Sequence, residues 1–144
     1  MEKVYYRLWD FLKHRLDMHD GRMWSWAGDG GLFAFRGDHR EVAAVSCCLE
    51  ILYSLPVFNL QPYKPIRDDI CLRIGIDSGP VRFADDTGRI VSEVINYAAH
   101  LEKKGTAPGV LSVSGEVFGQ LPKSLQSVFK VKREFEGRTA HATA

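Results

Sequence analysis

The sequence predicts an α+β sandwich, one mainly antiparallel sheet covered by helices. Three observations lead there. Apolar residues recur at helical spacing in three long segments. Short apolar or alternating runs, bounded by glycine and proline, lie between those segments and read as strands. The 144 residues show no internal repeat or linker, which fits one domain with a sizeable core.

The elements follow in order. Val4, Leu8, Phe11, Leu12 and Leu16 predict a helix over 3–19, ended by His19-Asp20-Gly21. Runs at 22–26 and 32–36 flank a glycine-rich turn and predict a hairpin. Val42, Val45, Leu49 and Leu52 predict a second helix over 40–54. Three prolines mark 56–69 as a loop. Residues 70–77 predict a buried strand and 81–84 another, with a turn at Asp85-Asp86-Thr87-Gly88. A third helix is expected over 91–103, then a strand at 110–113. Ser114 is placed to cap a short helix at 115–121. The tail, 127–142, reads as a closing strand or a hairpin turning at Gly137. A ferredoxin-like, palm-type order would open on a strand. This chain opens on a helix, so the expectation is such a sandwich with its N-terminal strand missing. A late start or a strand supplied by a partner chain would each account for that.

Composition narrows the function classes. The net charge of +1, without a polybasic run, leaves no electrostatic footprint for nucleic acid. No apolar run of the ~20 residues that span a bilayer is evident, so no membrane partner is expected. The charged, amphipathic N-terminus does not read as a signal peptide. Cys47, Cys48 and Cys71 make no metal-ligand pattern, and the adjacent pair sits in a helical segment as buried thiols. These features favour a cytoplasmic protein.

Gly28-Asp29-Gly30-Gly31 is the most informative turn. Glycine lets a ligand approach the backbone closely, and a carboxylate set among glycines suits a hard metal ion. An ordinary Asp-Gly hairpin turn explains the same residues.

Three further blocks change that balance. They are Leu72-Arg73-Ile74-Gly75-Ile76-Asp77-Ser78-Gly79-Pro80-Val81, then Val94-Ile95-Asn96-Tyr97-Ala98-Ala99-His100-Leu101-Glu102, then Pro108-Gly109-Val110-Leu111-Ser112-Val113-Ser114. With the hairpin, and in this order, the set resembles the class III nucleotide cyclase catalytic domain, the adenylate/guanylate cyclase domain, from about residue 3 to residue 139. The resemblance implies cyclisation of a nucleoside triphosphate to a 3′,5′-cyclic nucleotide with release of pyrophosphate, by two divalent metals, Mg²⁺ or Mn²⁺. It implies a homodimer whose sites lie between subunits.

Residue by residue, the resemblance makes Asp29 a metal ligand. The family's other metal Asp lies on an opening strand that has no counterpart here. Asn96 matches the Asn that orients the ribose. His100 stands where the family has an Arg that stabilises the phosphorus; it can donate to a phosphate oxygen but lacks Arg's fork. A surface amide at Asn96 and a ring packed beside Leu101 at His100 are the plainer alternatives. Gly28 and Gly30 admit the nucleotide backbone. Ser25 and Arg89 fall at the purine-recognition positions, and their donors suit an acceptor-rich base edge such as guanine or uracil. An exposed turn arginine is the alternative for Arg89. Glu136 stands where the family has a triphosphate-binding Lys, and Arg138 is the nearest cation to replace it, or else a solvated turn charge. Trp24 and Trp26 alternate away from Ser25 and are expected in packing or at a dimer seam. Asp85 and Asp86 form an acidic turn that could bind a cation, with a plain surface turn as the default.

Two classes of function follow. One is a nucleotide cyclase with its base unassigned: ATP, GTP or a pyrimidine triphosphate. The other is a catalytically inactive cyclase-like dimerisation or nucleotide-binding module, favoured by the absent first Asp, His100 and Glu136. An unrelated palm-type domain such as a diguanylate cyclase fits less well, because the hairpin's glycine–acid order differs.

Overall fold

The computed structural model of the chain describes residues 2–27, 30–60, 70–84 and 89–144. Two compact units stand out, Met1–Cys71 and Leu72–Ala144.

The first unit holds helix α1 (Glu2–Met18), the hairpin β1 (Arg22–Ala27) and β2 (Gly30–Ala34), and helix α2 (Arg40–Asn59). Leu8, Leu12 and Leu16 form the buried stripe of α1. Ala44, Val45, Cys47, Cys48, Leu49, Ile51, Leu55 and Phe58 are buried on α2. The Phe11 and Phe58 rings meet at 5.2 Å, and Arg15 lies 4.0 Å over Phe11. His19 Nε2 and Glu50 Oε2 are 2.8 Å apart, tying the end of α1 to α2.

Helix α2 departs from expectation at its C-terminus. It continues through Pro56 to Asn59, where the prolines predicted a loop. Pro56 is exposed, and its missing N–H leaves the Leu52 carbonyl without its helical donor. Asn59 then fastens the following chain: its side-chain oxygen accepts from Ile70 N–H at 2.8 Å and its amide donates to Ile70 O at 3.0 Å. With 20 residues and a mean hydropathy of 1.6, α2 is also long and apolar enough to cross a membrane by length and composition, against expectation. Its eight buried residues account for that apolarity as core packing.

The second unit carries a four-stranded sheet in the order β3-β6-β8-β7. Strands β3 (Ile74–Ile76) and β6 (Leu111–Ser114) run parallel; β6 pairs antiparallel with β8 (Arg138–Ala142), which forms a hairpin with β7 (Val131–Phe135). The crossover between β3 and β6 contains the small hairpin β4 (Arg82–Ala84) and β5 (Arg89–Val91) and helix α3 (Glu93–Gly105). Short helices α4 (Gly115–Gly119) and α5 (Lys123–Gln126) connect β6 to β7. Mixed helices and mainly antiparallel strands thus give the expected α+β class. The expected turn at 85–88 lies outside the described residues.

Serine caps start α3 and α4. Ser92 accepts from Val94 N–H at 3.1 Å to start α3, and Ser114 accepts from Val117 N–H at 3.3 Å to start α4, as its position predicted. Beneath α3, Gly75 is a contact point. A Cβ there would lie 2.7 Å from both Ala98 O and Glu102 N, so only glycine lets β3 approach the helix backbone. Tyr97, Leu101 and Ala140 form the buried cluster under α3, with Phe135 packed edge-on to Tyr97 at 5.9 Å. The predicted strand over 70–77 shortens to three residues; ahead of it, Leu72 O still accepts from Gly109 N–H at 2.7 Å. Strand β5 and helix α5 are additions to the expected elements, each four residues or fewer.

Candidate functional site

Helix α3 builds the richest candidate surface. Tyr97 and Leu101 face the sheet and are buried; Asn96 and His100, each one position earlier, stay exposed and stand one turn apart on one face. Packing therefore fixes the side on which the polar pair appears. The Nδ1 atom of His100 lies 3.0 Å from Glu136 Oε1 and 3.4 Å from Oε2. The two residues that depart from the family pattern, His for Arg and Glu for Lys, are in contact with each other.

Glu136 and Gly137 are the two central residues of the β7–β8 hairpin. Their φ values of 50° and 76° and the Phe135↔Arg138 pairing define a type I′ turn. Two residues on, Arg138 is held rather than solvated. Its guanidinium forks onto Asp77, NH1 to Oδ2 at 3.1 Å and NH2 to Oδ1 at 3.0 Å, and NH2 also donates to Glu116 Oε2 at 2.7 Å. It lies 3.8 Å over the Tyr97 ring. The Asp77 side chain is only 1% exposed, and Arg138 is 34% exposed. The hydrogen bonds to Asp77, above all, push the Arg138 guanidinium's proton affinity further up. The Arg138 hydrogen bond holds the Glu116 carboxyl below its ordinary range. Burial pushes the Tyr97 phenol up, and its hydroxyl is buried without a hydrogen-bond partner among the described residues. Among the described residues, three of Arg138's five N–H donors are committed, which leaves two for another acceptor.

The remaining sequence candidates are placed less fully. Gly28 and Asp29 lie outside the described residues. Gly30 opens β2, and a Cβ on it would meet nothing within 4 Å, so packing does not require the glycine. Ser25 is exposed on β1 and pairs with Leu32. A bulge between Met23 and Ser25 interrupts the simple alternation expected along this strand. Trp26 packs on its own hairpin: a Cβ on Gly31 would come 2.5 Å from its ring. Arg89 pairs through its backbone with Ala84; its side chain lies outside the description, as do Asp85 and Asp86. Among the described residues no group of three or more His, Cys, Asp or Glu side chains forms a metal site. Among the described residues, Asp77 and Glu116 are engaged by Arg138, Glu102 by Arg73, and Glu136 by the His100 ring.

Asp77 and Glu116 carried no assigned role in the sequence. Asp77 stood inside a recognised block, but its partner is 61 residues away and no local pattern connects them.

No family model matches the chain, and no curated protein matches it. Solved structures do. A non-canonical dimeric guanylyl cyclase domain of the RhoGC fusion protein from the aquatic fungus Blastocladiella emersonii matches with a TM-score of 0.77 at 18% identity, over 99% of this chain and 79% of that one. The adenylate/guanylate cyclase/hydrolase from Silicibacter pomeroyi matches at 0.69 and 25% identity, over 98% and 80%. The guanylate cyclase domain of RhGC from Catenaria anguillulae, in complex with GTP, matches at 0.69 and 17%, over 96% and 79%. These are class III adenylate/guanylate cyclase catalytic domains, and the fold of this chain is theirs. The resemblance read in the four sequence blocks and the architecture therefore agree.

Proposed function

We propose that the chain is the catalytic domain of a nucleotide cyclase, converting a nucleoside triphosphate to its 3′,5′-cyclic nucleotide and pyrophosphate in cyclic-nucleotide signalling. The observation that carries this reading is the α3 face. On a cyclase fold, Asn96 and His100 stand exposed one turn apart, at the positions that the sequence blocks assign to substrate. Asn96 supplies an amide that can hold a ribose oxygen. His100 supplies a ring nitrogen that, when protonated, donates to a phosphate oxygen. The two free donors of Arg138 can reach a further phosphate oxygen.

In this reading the domain works as a homodimer, with Asp29 of one subunit opposite Asn96 and His100 of the partner subunit. One structural neighbour is a complex with GTP, which supports a nucleotide substrate, and another is a non-canonical dimer of a guanylyl cyclase domain, which shows that a domain of this fold self-associates. Asp29 would hold Mg²⁺ or Mn²⁺, the metal that neutralises phosphate charge in such chemistry. Gly28 and Gly30 leave the backbone open to the nucleotide, and Ser25 and Arg89 face the base, whose identity stays open among ATP, GTP and the pyrimidine triphosphates. The site lies in the cytoplasm, where these substrates are.

The test is direct. The full-length gene product is incubated with Mg²⁺ or Mn²⁺ and each of the four triphosphates, and cyclic product is sought by mass spectrometry. Asp29→Ala should abolish turnover while leaving the thermal unfolding profile in place. Turnover that survives this change would remove Asp29 from the metal site.

A further inference from the structure

We propose that Glu136 is a positioning residue for His100, holding the ring by Nδ1 so that Nε2 is the atom presented to the substrate's phosphates. The role rests on the cyclase reading above; the geometry does not. An ionised carboxylate is an acceptor only. The 3.0 Å contact from His100 Nδ1 to Glu136 Oε1 therefore requires the proton on Nδ1. Nε2 is then the ring's free nitrogen: a lone pair in the neutral ring, an N–H donor in the protonated one. An arginine at this position would present a rigid fork without help. A histidine rotates, and which nitrogen it offers is set by what the other one binds.

The backbone supplies a second, independent observation. Glu136 adopts φ 50° as the first central residue of a type I′ turn. Asn-Gly and Asp-Gly are the favoured pairs there, and a side chain such as Glu in the left-handed region costs about 1 kcal/mol. A longer carboxylate sits where a shorter residue would form the better turn. Local strain of this kind is typical of residues kept for a functional contact. The contact in question is with the residue 36 positions earlier on α3.

The turn also provides a clean perturbation. Glu136→Asn suits the type I′ turn better than Glu, so the hairpin should fold at least as well. Its side chain is one methylene shorter and uncharged, and it loses His100. Glu136→Gln keeps the length and one acceptor oxygen, and serves as the conservative rescue. Long-range ¹H–¹⁵N NMR of the nucleotide-free protein, above the pH where the ring is protonated, reports the tautomer of His100. The wild type should show the Nδ1–H form. E136N should revert to the Nε2–H form that a free histidine side chain prefers. An Nε2–H ring in the wild type, or a tautomer unmoved by E136N, overturns the pairing whether or not the protein cyclises anything.

Kinetics then test the role. E136N should lower kcat by about tenfold with KM little changed, the scale seen when histidine-orienting partners are removed elsewhere. E136Q should recover most of that loss. In His100→Ala, adding E136N should cost nothing further, because the two act as one unit. Wild-type kcat in E136N, or an additive double variant, overturns the positioning role. Absence of turnover in the wild type overturns the cyclase reading and this role with it, while the tautomer measurement still decides the pair.

Discussion

Arg138→Met isolates the ion-pair cluster that anchors the β8 strand. Methionine keeps the length and can still lie over Tyr97, but it offers no donors. Among the described residues, the Asp77 carboxylate, 1% exposed, would then retain the Ser78 N–H at 2.9 Å. Breaking a fully buried ion pair by removing one partner costs about 3–5 kcal/mol. Arg138 is 34% exposed, so solvent screens part of that. The Glu116 arm, 59% exposed on the acidic side, adds no more than the ~0.2–1 kcal/mol of a surface pair. The expected loss is about 2–3 kcal/mol, or a fall of about 5–10 °C in Tm for a chain of this size. All three tryptophans lie in residues 1–71, so fluorescence does not report on this unit. Native-state hydrogen exchange at the amides of β6 and β8 does. Adding Asp77→Asn should return more than half of the loss, since the buried charge is then gone. A loss below about 0.5 kcal/mol, or a double variant no better than R138M alone, would refute the claim that the buried Asp77 charge depends on this guanidinium.

Other consequences are independent. Gly75→Ala places a Cβ 2.7 Å from the α3 backbone, and forcing the strand and helix apart should cost about 1–3 kcal/mol in urea unfolding. His141 stacks on Phe118 at 3.6 Å, and burial, with Lys132 nearby, holds its imidazole below the ordinary value of 6.5. The folded state therefore binds fewer protons than the unfolded one. Stability from this group is complete above that value and declines as pH falls below it, a slope that His141→Phe should flatten in urea midpoints measured across that range. Burial pushes the Cys47 thiol up to about 12 and the Cys48 thiol up as well, whereas Cys71 is exposed. A thiol reagent at neutral pH should label Cys71 rapidly and leave the other two untouched, and mapped adducts on Cys47 would contradict this placement.

Much of the fold was legible because its signals are local. The spacing of Leu8, Leu12 and Leu16 showed α1, and Ser114 marked the start of α4 three residues ahead of Val117. The ends and the smallest elements were not. Pro56 implied a break that its exposed position on α2 made unnecessary. Strand β5 has three residues and takes its identity from pairing with β4, which no window on 89–91 reveals. Within the site, the shared face of Asn96 and His100 follows from their spacing of four. Their surroundings do not follow from spacing at all. The bonds from His100 to Glu136 and from Arg138 to Asp77 span 36 and 61 residues. One hint did exist: His100 and Glu136 both stand where the sequence resemblance expects a cation.

The central claim is that this cyclase fold turns over a nucleotide. The measurement that tests it most directly is formation of a 3′,5′-cyclic nucleotide by the purified full-length gene product, with divalent metal and each triphosphate in turn. The account predicts cyclic product and pyrophosphate in equal amounts from at least one of the four, lost in Asp29→Ala. Triphosphate that binds to the domain, with no cyclic product from any of the four, would contradict it.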